Sequence, residues 1–234
     1  MKVPDDLVDA SHEFLTAVRC GEESEQFVTT FADAAESELP IGHESPDAAT
    51  AFWVNLYNGF VQVHLDADPS IYEDRRRFFG EARITVAGKR LSLDDIEHGL
   101  LRSSKWKYGL GYVPRLFPNG FETRYRLPTV DPRVHFALNC GAESCPPIAA
   151  YTPEGIDMEM DTSTRSFLDQ SCEYEDAETL RVSRLFFYYR GDFGGRSGIY
   201  EFLERYGVLE AGERPSVRYK PYDWTLHTGM YRSD

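Results

Sequence analysis

The sequence predicts an α+β fold in which N-terminal helices pack on a small, mainly antiparallel sheet. Amphipathic segments of helical period fill the first third of the chain, whereas runs rich in β-branched and aromatic residues come mostly later, an order that argues against alternating βαβ units. The first helix is expected from Pro4, at a first-turn position, through Leu7, Phe14, Leu15 and Val18 to the glycine stop at Cys20-Gly21. A second runs from about Ser24 to Leu39. Ser45-Pro46-Asp47 supplies an N-cap, a first-turn proline and an acidic first turn for a third and most apolar helix, reaching Leu65. Ile84–Val86 and Lys89–Leu91 flank Ala87-Gly88 as a small hairpin, and Ser92-Leu-Asp-Asp95 caps a short helix ending near Arg102. Residues 103–130 lose periodicity and fill with Gly, Pro, Tyr and Phe, which reads as an ordered aromatic loop. Arg133–Asn139 alternates as a buried strand, with a turn at Gly141–Ser144 and a helix opening at Pro146. A further helix is expected from Thr152 to about Ser171, strands over Thr179–Ser183 and Leu185–Tyr189, a turn from Gly191, and a last helix from Ser197 to Tyr206 stopped by Gly207.

With 234 residues, the chain suits one domain, and folding at that length removes roughly 70% of the extended surface from water. Residues 1–44 read as a helical extension and 45–227 as the core. Hydrophobic residues at 41% and charged residues at 27% exclude a disordered or fibrous chain. The formal charge of -14 disfavours nucleic acid and anionic lipid as partners. Only five basic residues are Lys and twenty are Arg, a balance that suggests a salt-adapted, halophilic or GC-rich source. Neither a leader nor a run of about eighteen apolar residues is visible, so a cytoplasmic location is expected. There the four cysteines, Cys20, Cys140, Cys145 and Cys172, would stay as thiols.

Three groups of residues carry chemistry. In the third helix Asn55, Asn58 and Gln62 share a stripe among apolar neighbours, and burying such amides unpaired costs on the order of 1–3 kcal/mol. They either fasten neighbouring backbone, the favoured reading, or face a polar cavity. Asp94, His98 and Arg102 fall four apart on one face, with Glu97 beside them; this is an oriented imidazole or an ordinary ion-paired surface. The densest group is His135-Phe-Ala-Leu-Asn139-Cys140-Gly-Ala-Glu-Ser-Cys145-Pro-Pro. A helix starting at Pro146 would place Cys145 at its N-cap, where free N–H groups favour the thiolate, and Cys140 at the strand's carboxyl edge. His135, Cys140, Cys145 and His98 are also conceivable metal ligands, although their spacing fits no usual zinc pattern. A redox role suffers equally, because four residues separate the thiols rather than two.

Phe52-Trp-Val-Asn-Leu-Tyr-Asn58, Ile96-Glu-His-Gly-Leu-Leu-Arg102, Asp131–Pro147 and Tyr222-Asp-Trp-Thr-Leu226 together resemble the domain of unknown function 547 family, from about Ser45 to Leu226. The resemblance maps the family's motif positions onto Asn55, Tyr57, Asn58, His98, Arg102, Cys140 and Cys145. In plant relatives the second cysteine's place looks like Ser, which raises Cys140 as the alternative nucleophile. The closing motif more often ends in Asn, where this chain has His227, a doubtful base. A thiol, a His and Asn amides on an α+β scaffold also look like the papain and transglutaminase group, with a rearranged chain order.

The resulting expectation is a thiol-dependent hydrolase or acyl transferase acting on an amide or thioester of a small molecule or peptide. In it, Cys145 or Cys140 attacks and His98 moves the proton, oriented by Glu97 or Asp94. Backbone N–H groups, with Asn55 or Asn58, hold the oxyanion, and Tyr57, Arg102, His135 and Asn139 contact the substrate. No cofactor is required. The alternative is a non-catalytic binding domain in which the same motifs knit the fold and the aromatic loop from Trp106 to Tyr125 holds a ligand or partner.

Overall fold

A computed structural model describes residues 3–232. Helix α1 (Leu7–Cys20) starts at Asp6, whose carboxylate accepts from the Val8 and Asp9 N–H groups, and ends at Gly21 with φ +68°. Pro4 therefore lies before the helix and not in its first turn. Helix α2 (Glu25–Asp33) is shorter than expected: the chain leaves it at Ala34 and makes a separate 3-10 turn at Glu36–Glu38. Helix α3 (Pro46–Ala67) is the spine of the molecule, and fifteen of its residues are buried. An all-round apolar helix needs cover on every side, and α1 lies along one side so closely that a Cβ on Gly59 would sit 2.3 Å from the Phe14 ring.

The stripe on α3 resolves into three backbone clamps. Asn55 Nδ2 donates to Tyr151 O at 2.8 Å while its Oδ1 accepts from Tyr151 N–H at 2.9 Å. Asn58 Nδ2 donates to Ala137 O and its Oδ1 accepts from Asn139 N–H, both at 2.9 Å. Gln62 Oε1 accepts from Gly229 N–H at 2.8 Å. A carboxamide mimics a strand partner, so α3 fixes three irregular segments that have no sheet to join.

After α4 (Arg75–Gly80), β1 (Ile84–Val86) and β2 (Lys89–Leu91) pair antiparallel around Ala87-Gly88 as the sequence predicts. The short α5 (Gly120–Tyr125) lies inside the stretch read as loop. Helix α6 (Ile156–Ser171) leads to a three-stranded sheet in the order β3 (Glu173–Asp176), β4 (Thr179–Val182) and β5 (Ser216–Tyr219), with β3 antiparallel and β5 parallel to β4. Between β4 and β5 come α7 (Leu185–Tyr188) and α8 (Gly195–Arg205).

Three expectations need correction. Pro132–Phe136 is a 3-10 turn, started by Asp131 accepting from Arg133 N–H at 2.9 Å, and not a strand. Val134 enters the core around α3 while Phe136 enters a second cluster built by α6, α7, α8 and β4, a three-way projection that an alternating strand cannot give. Leu185–Tyr188 is helical because the adjacent Leu185 and Phe186 both enter the second cluster, whereas neighbours in a strand face opposite ways. No helix opens at Pro146: residues 146–155 run irregularly to α6, and Ile148 pairs with the C-terminal tail through Met230 O at 2.7 Å.

Because the Gly59 site touches a ring whose own neighbours are Phe27, Phe31 and Phe60, Gly59→Ala is expected to lower unfolding free energy by roughly 1–3 kcal/mol in urea titration. Gly120→Ala, where a Cβ meets nothing within 4 Å, serves as the control and should change stability by less than about 0.5 kcal/mol.

Candidate active site

Ser92 and Asp95 cap each other reciprocally and launch a helical segment at Asp95–Leu101 that is wound as a π-helix. Its hydrogen bonds span five residues, as in Arg102 N–H to Glu97 O at 2.9 Å. Such widened turns occur most often at functional sites, and here the widening brings Glu97 in beside His98 and Arg102. Arg102 is fully buried. Its Nε donates to Asp192 Oδ2 at 2.7 Å, its Nη1 donates to His98 Nδ1 at 2.8 Å, and its guanidinium lies 4.5 Å over the Tyr189 ring. A guanidinium can only donate, so His98 Nδ1 accepts in this contact, while Nε2 faces Asp94 Oδ1 at 3.5 Å. Asp94 is also held by Lys107 Nζ at 2.7 Å. Glu97 receives the hydroxyls of Tyr189 at 2.7 Å and Tyr57 at 3.4 Å. Burial works against its ionisation, but the neighbouring His98 and Arg102 side chains and the Tyr189 hydroxyl outweigh it and keep the carboxyl below its ordinary range.

The 3-10 turn aims His135 at the same cluster. Its Nε2 lies 2.9 Å from Asp192 Oδ2, and its ring stacks on Tyr189 with centroids 3.8 Å apart and planes 9° apart. Burial, together with the nearby Arg102 charge, outweighs the Asp192 contact and lowers the imidazole's pKa. The neutral ring therefore gives its N–H to Asp192 and leaves Nδ1 as a free acceptor, with no hydrogen bond among the described residues. Asp192 is buried too, and His135 and Arg102 overcome that burial to hold its carboxyl low.

The thiols meet despite their spacing. Gly141 takes φ +85° and Cys145 N–H closes onto Ala142 O at 2.9 Å, folding the segment so that the sulfurs stand 3.0 Å apart. Cys145 Sγ also faces the Cys140 N–H at 3.1 Å and the Tyr222 hydroxyl at 3.3 Å. Tyr222 arrives on the C-terminal strap, whose backbone pairs with this turn through Thr225 O to Glu143 N–H and Gly141 O to His227 N–H, each at 2.8 Å. Burial alone would raise the Cys145 pKa, but the three donors outweigh it and lower it from the ordinary thiol value, so Cys145 is the sulfur of the pair that ionises first, as an anion held by those donors. Cys140, hydrogen-bonded to that anion and itself buried, keeps its proton and is pushed well up. The thiolate thus owes its stability to side-chain and backbone donors and not to a helix N-terminus.

Tyr57, Glu97, His98, His135 and Cys140 together line a cavity of about 100 Å³, completed by Lys107 and by aromatic rings that include Tyr189, Tyr222 and Trp224. Asn55, Asn58 and Asn139 do not reach its wall; Asn139 Nδ2 donates to Pro146 O at 2.8 Å and its Oδ1 accepts from Gly141 N–H at 2.9 Å, holding the turn. Arg102 lies outside the wall, under Tyr189, bound to both His98 and Asp192. Neither imidazole is hydrogen-bonded to a sulfur, and His98 spends both ring nitrogens elsewhere. His227 is exposed and pairs with Glu143 at 2.6 Å. Among the described residues no three His, Cys, Asp or Glu side chains gather as metal ligands. Asp192 was not singled out from the sequence; the only signal is an acid set between Gly191 and Phe193 in a glycine-rich turn, where solvent exposure is the usual expectation.

The family model described as protein of unknown function, DUF547, matches residues 42–168. The chain belongs to this family. The match takes in the first three motifs, whereas Tyr222 on the strap lies beyond it. No curated protein and no solved structure matches the chain.

If the Tyr222 hydroxyl helps hold the Cys145 thiolate, Tyr222→Phe should move the midpoint of iodoacetamide labelling upward in pH by on the order of one unit, since a hydrogen bond to a charged group is worth roughly 1.5–3 kcal/mol. Labelling rates measured across pH, with Cys20 and Cys172 changed to Ser, provide the check; an unmoved midpoint contradicts the assignment.

Proposed function

We propose that this family member is a thiol-dependent acyl-transfer enzyme, a hydrolase or transferase acting on an amide or thioester. The observation that carries this reading is the joint lining of one cavity by Cys140 and His135, with His135 anchored through Nε2 on the buried Asp192. Cys140 Sγ attacks the carbonyl carbon while His135 Nδ1 takes its proton as general base. The tetrahedral intermediate collapses, the imidazolium returns the proton to the departing amine or thiol, and Asp192 stabilises the charge that the ring carries in between. Water, or a second nucleophile, then releases the acyl group by the same steps in reverse order.

The other groups follow from the geometry. The Cys145 sulfur beside Cys140 pushes the attacking thiol's pKa up, so His135 must take the Cys140 proton as the bond to carbon forms. His98, whose nitrogens face Arg102 and Asp94, is a positioning residue rather than the base. Tyr57, which lines the cavity and whose hydroxyl makes only a long 3.4 Å contact to Glu97, is the side-chain donor available to an oxyanion in place of the Asn amides, which are spent on backbone. A wall rich in aromatic rings and a volume of about 100 Å³ suit a small acyl group.

Turnover of a small-acyl thioester, followed by release of the free thiol, tests the reading. Cys140→Ala and His135→Ala should each lose at least about a hundredfold in kcat/KM while melting within a few degrees of the parent. Asn55→Ala should instead melt lower by several degrees and keep turnover per folded molecule, because its clamp is structural. Retention of parental turnover by Cys140→Ala overturns the proposal.

A further inference from the structure

Cys145 and Tyr222 also line a second, open cleft of about 330 Å³ that the acyl-transfer reading does not use. Cys140 is thus reached from the first cavity and Cys145 from this cleft. The cleft carries Arg184 and Lys220; Lys220 pairs with Glu173 at 3.1 Å, and Glu143 on the same rim is taken by His227. Arg184 makes no ion pair among the described residues and lies over the Phe187 and Tyr188 rings, 5.7 and 5.8 Å from their centroids.

From this arrangement the geometry points to a second activity: thiol–disulfide exchange, in which the 3.0 Å Cys140/Cys145 pair reduces a small disulfide that bears carboxylates and enters through the Arg184 cleft. Cys145 sulfur attacks one sulfur of the incoming disulfide, forming a mixed disulfide and expelling a thiolate. That thiolate takes the Cys140 proton. Cys140 sulfur then attacks Cys145 sulfur, closing the protein disulfide and releasing the second half of the substrate as a thiolate, which takes a proton from water. The protein gives up two electrons and the Cys140 proton, and with one further proton from water one small disulfide becomes two thiols. Exchange of this kind needs an attacking thiolate that can be reached and a resolving thiol already in contact. Both are present, because the turn through Gly141 brings together sulfurs that are five positions apart. Electrostatic attraction by Arg184 and Lys220 favours an anionic over a neutral disulfide.

The test uses the reduced full chain with Cys20 and Cys172 changed to Ser, oxidised glutathione as the anionic probe and 2-hydroxyethyl disulfide as the neutral one. No acyl donor is present, so the result is independent of the acyl-transfer proposal. Intact mass should fall by two hydrogens, with both cysteines bridged inside the tryptic peptide 134–165. Cys140→Ser should stop at a glutathione adduct on Cys145, and Cys145→Ser should react at least about a hundredfold more slowly. The anionic probe should react several-fold faster than the neutral one, and Arg184→Gln should narrow that gap. Circular dichroism confirms that each variant is folded. An adduct on Cys140 in the chain that retains both thiols, or a pair that stays reduced, overturns the exchange activity; equal rates for the two probes overturn the assignment of the cleft.

Discussion

The buried guanidinium of Arg102 is the contact on which the site depends. It is fully enclosed, yet bound at 2.7 Å to Asp192 and at 2.8 Å to His98, with Glu97 close by and Tyr189 beneath it. Removing one partner of such a buried pair typically costs 3–5 kcal/mol, because the other charge is left without compensation. The charge joins segments that are remote in sequence: the π-helix, the 3-10 turn with His135, and the glycine-rich turn with Asp192. A hydrophobic contact could hold these segments together, but it could not fix which nitrogen of His135 carries the proton. Asp94, Glu97 and Asp192 all ionise below their usual range, so their contribution to stability is present above the unfolded carboxylate range and is lost as pH falls through the depressed values.

A second constraint is geometric. Helix α3 is apolar all round and offers its few amides to segments 137–139, 151 and 229, so the walls of the site are hung on one rigid element. The C-terminal strap crosses the thiol turn and delivers Tyr222 to the sulfurs. Irregular backbone is tolerated at the site because its polar groups are satisfied by side chains and by the strap.

Much of this was legible in the sequence. The α+β class, α1, α3, the hairpin and α8 follow from periodicity and caps, and the fastening role of the Asn stripe follows from the cost of an unpaired buried amide. Two errors come from β-favouring residues whose surroundings a strand cannot satisfy: Val134 and Phe136, two apart, enter different clusters, while the adjacent Leu185 and Phe186 enter the same one. The helix expected at Pro146 was lost to pairing with the tail. The thiol contact was invisible because spacing does not reveal how tightly a Gly141 turn closes. Asp192 was missed because nothing local distinguishes a buried acid in a glycine turn from an exposed one.

The most direct measurement is the site of acylation. A small-acyl thioester mixed with the chain and quenched in acid should leave one acyl group, and digestion should place it on Cys140, with the adduct absent from Cys140→Ala and forming far more slowly when His135 is changed to Ala. An acyl group found only on Cys20 or Cys172, or no covalent adduct at any quench time, would contradict the account of a cavity that presents one sulfur to one oriented imidazole.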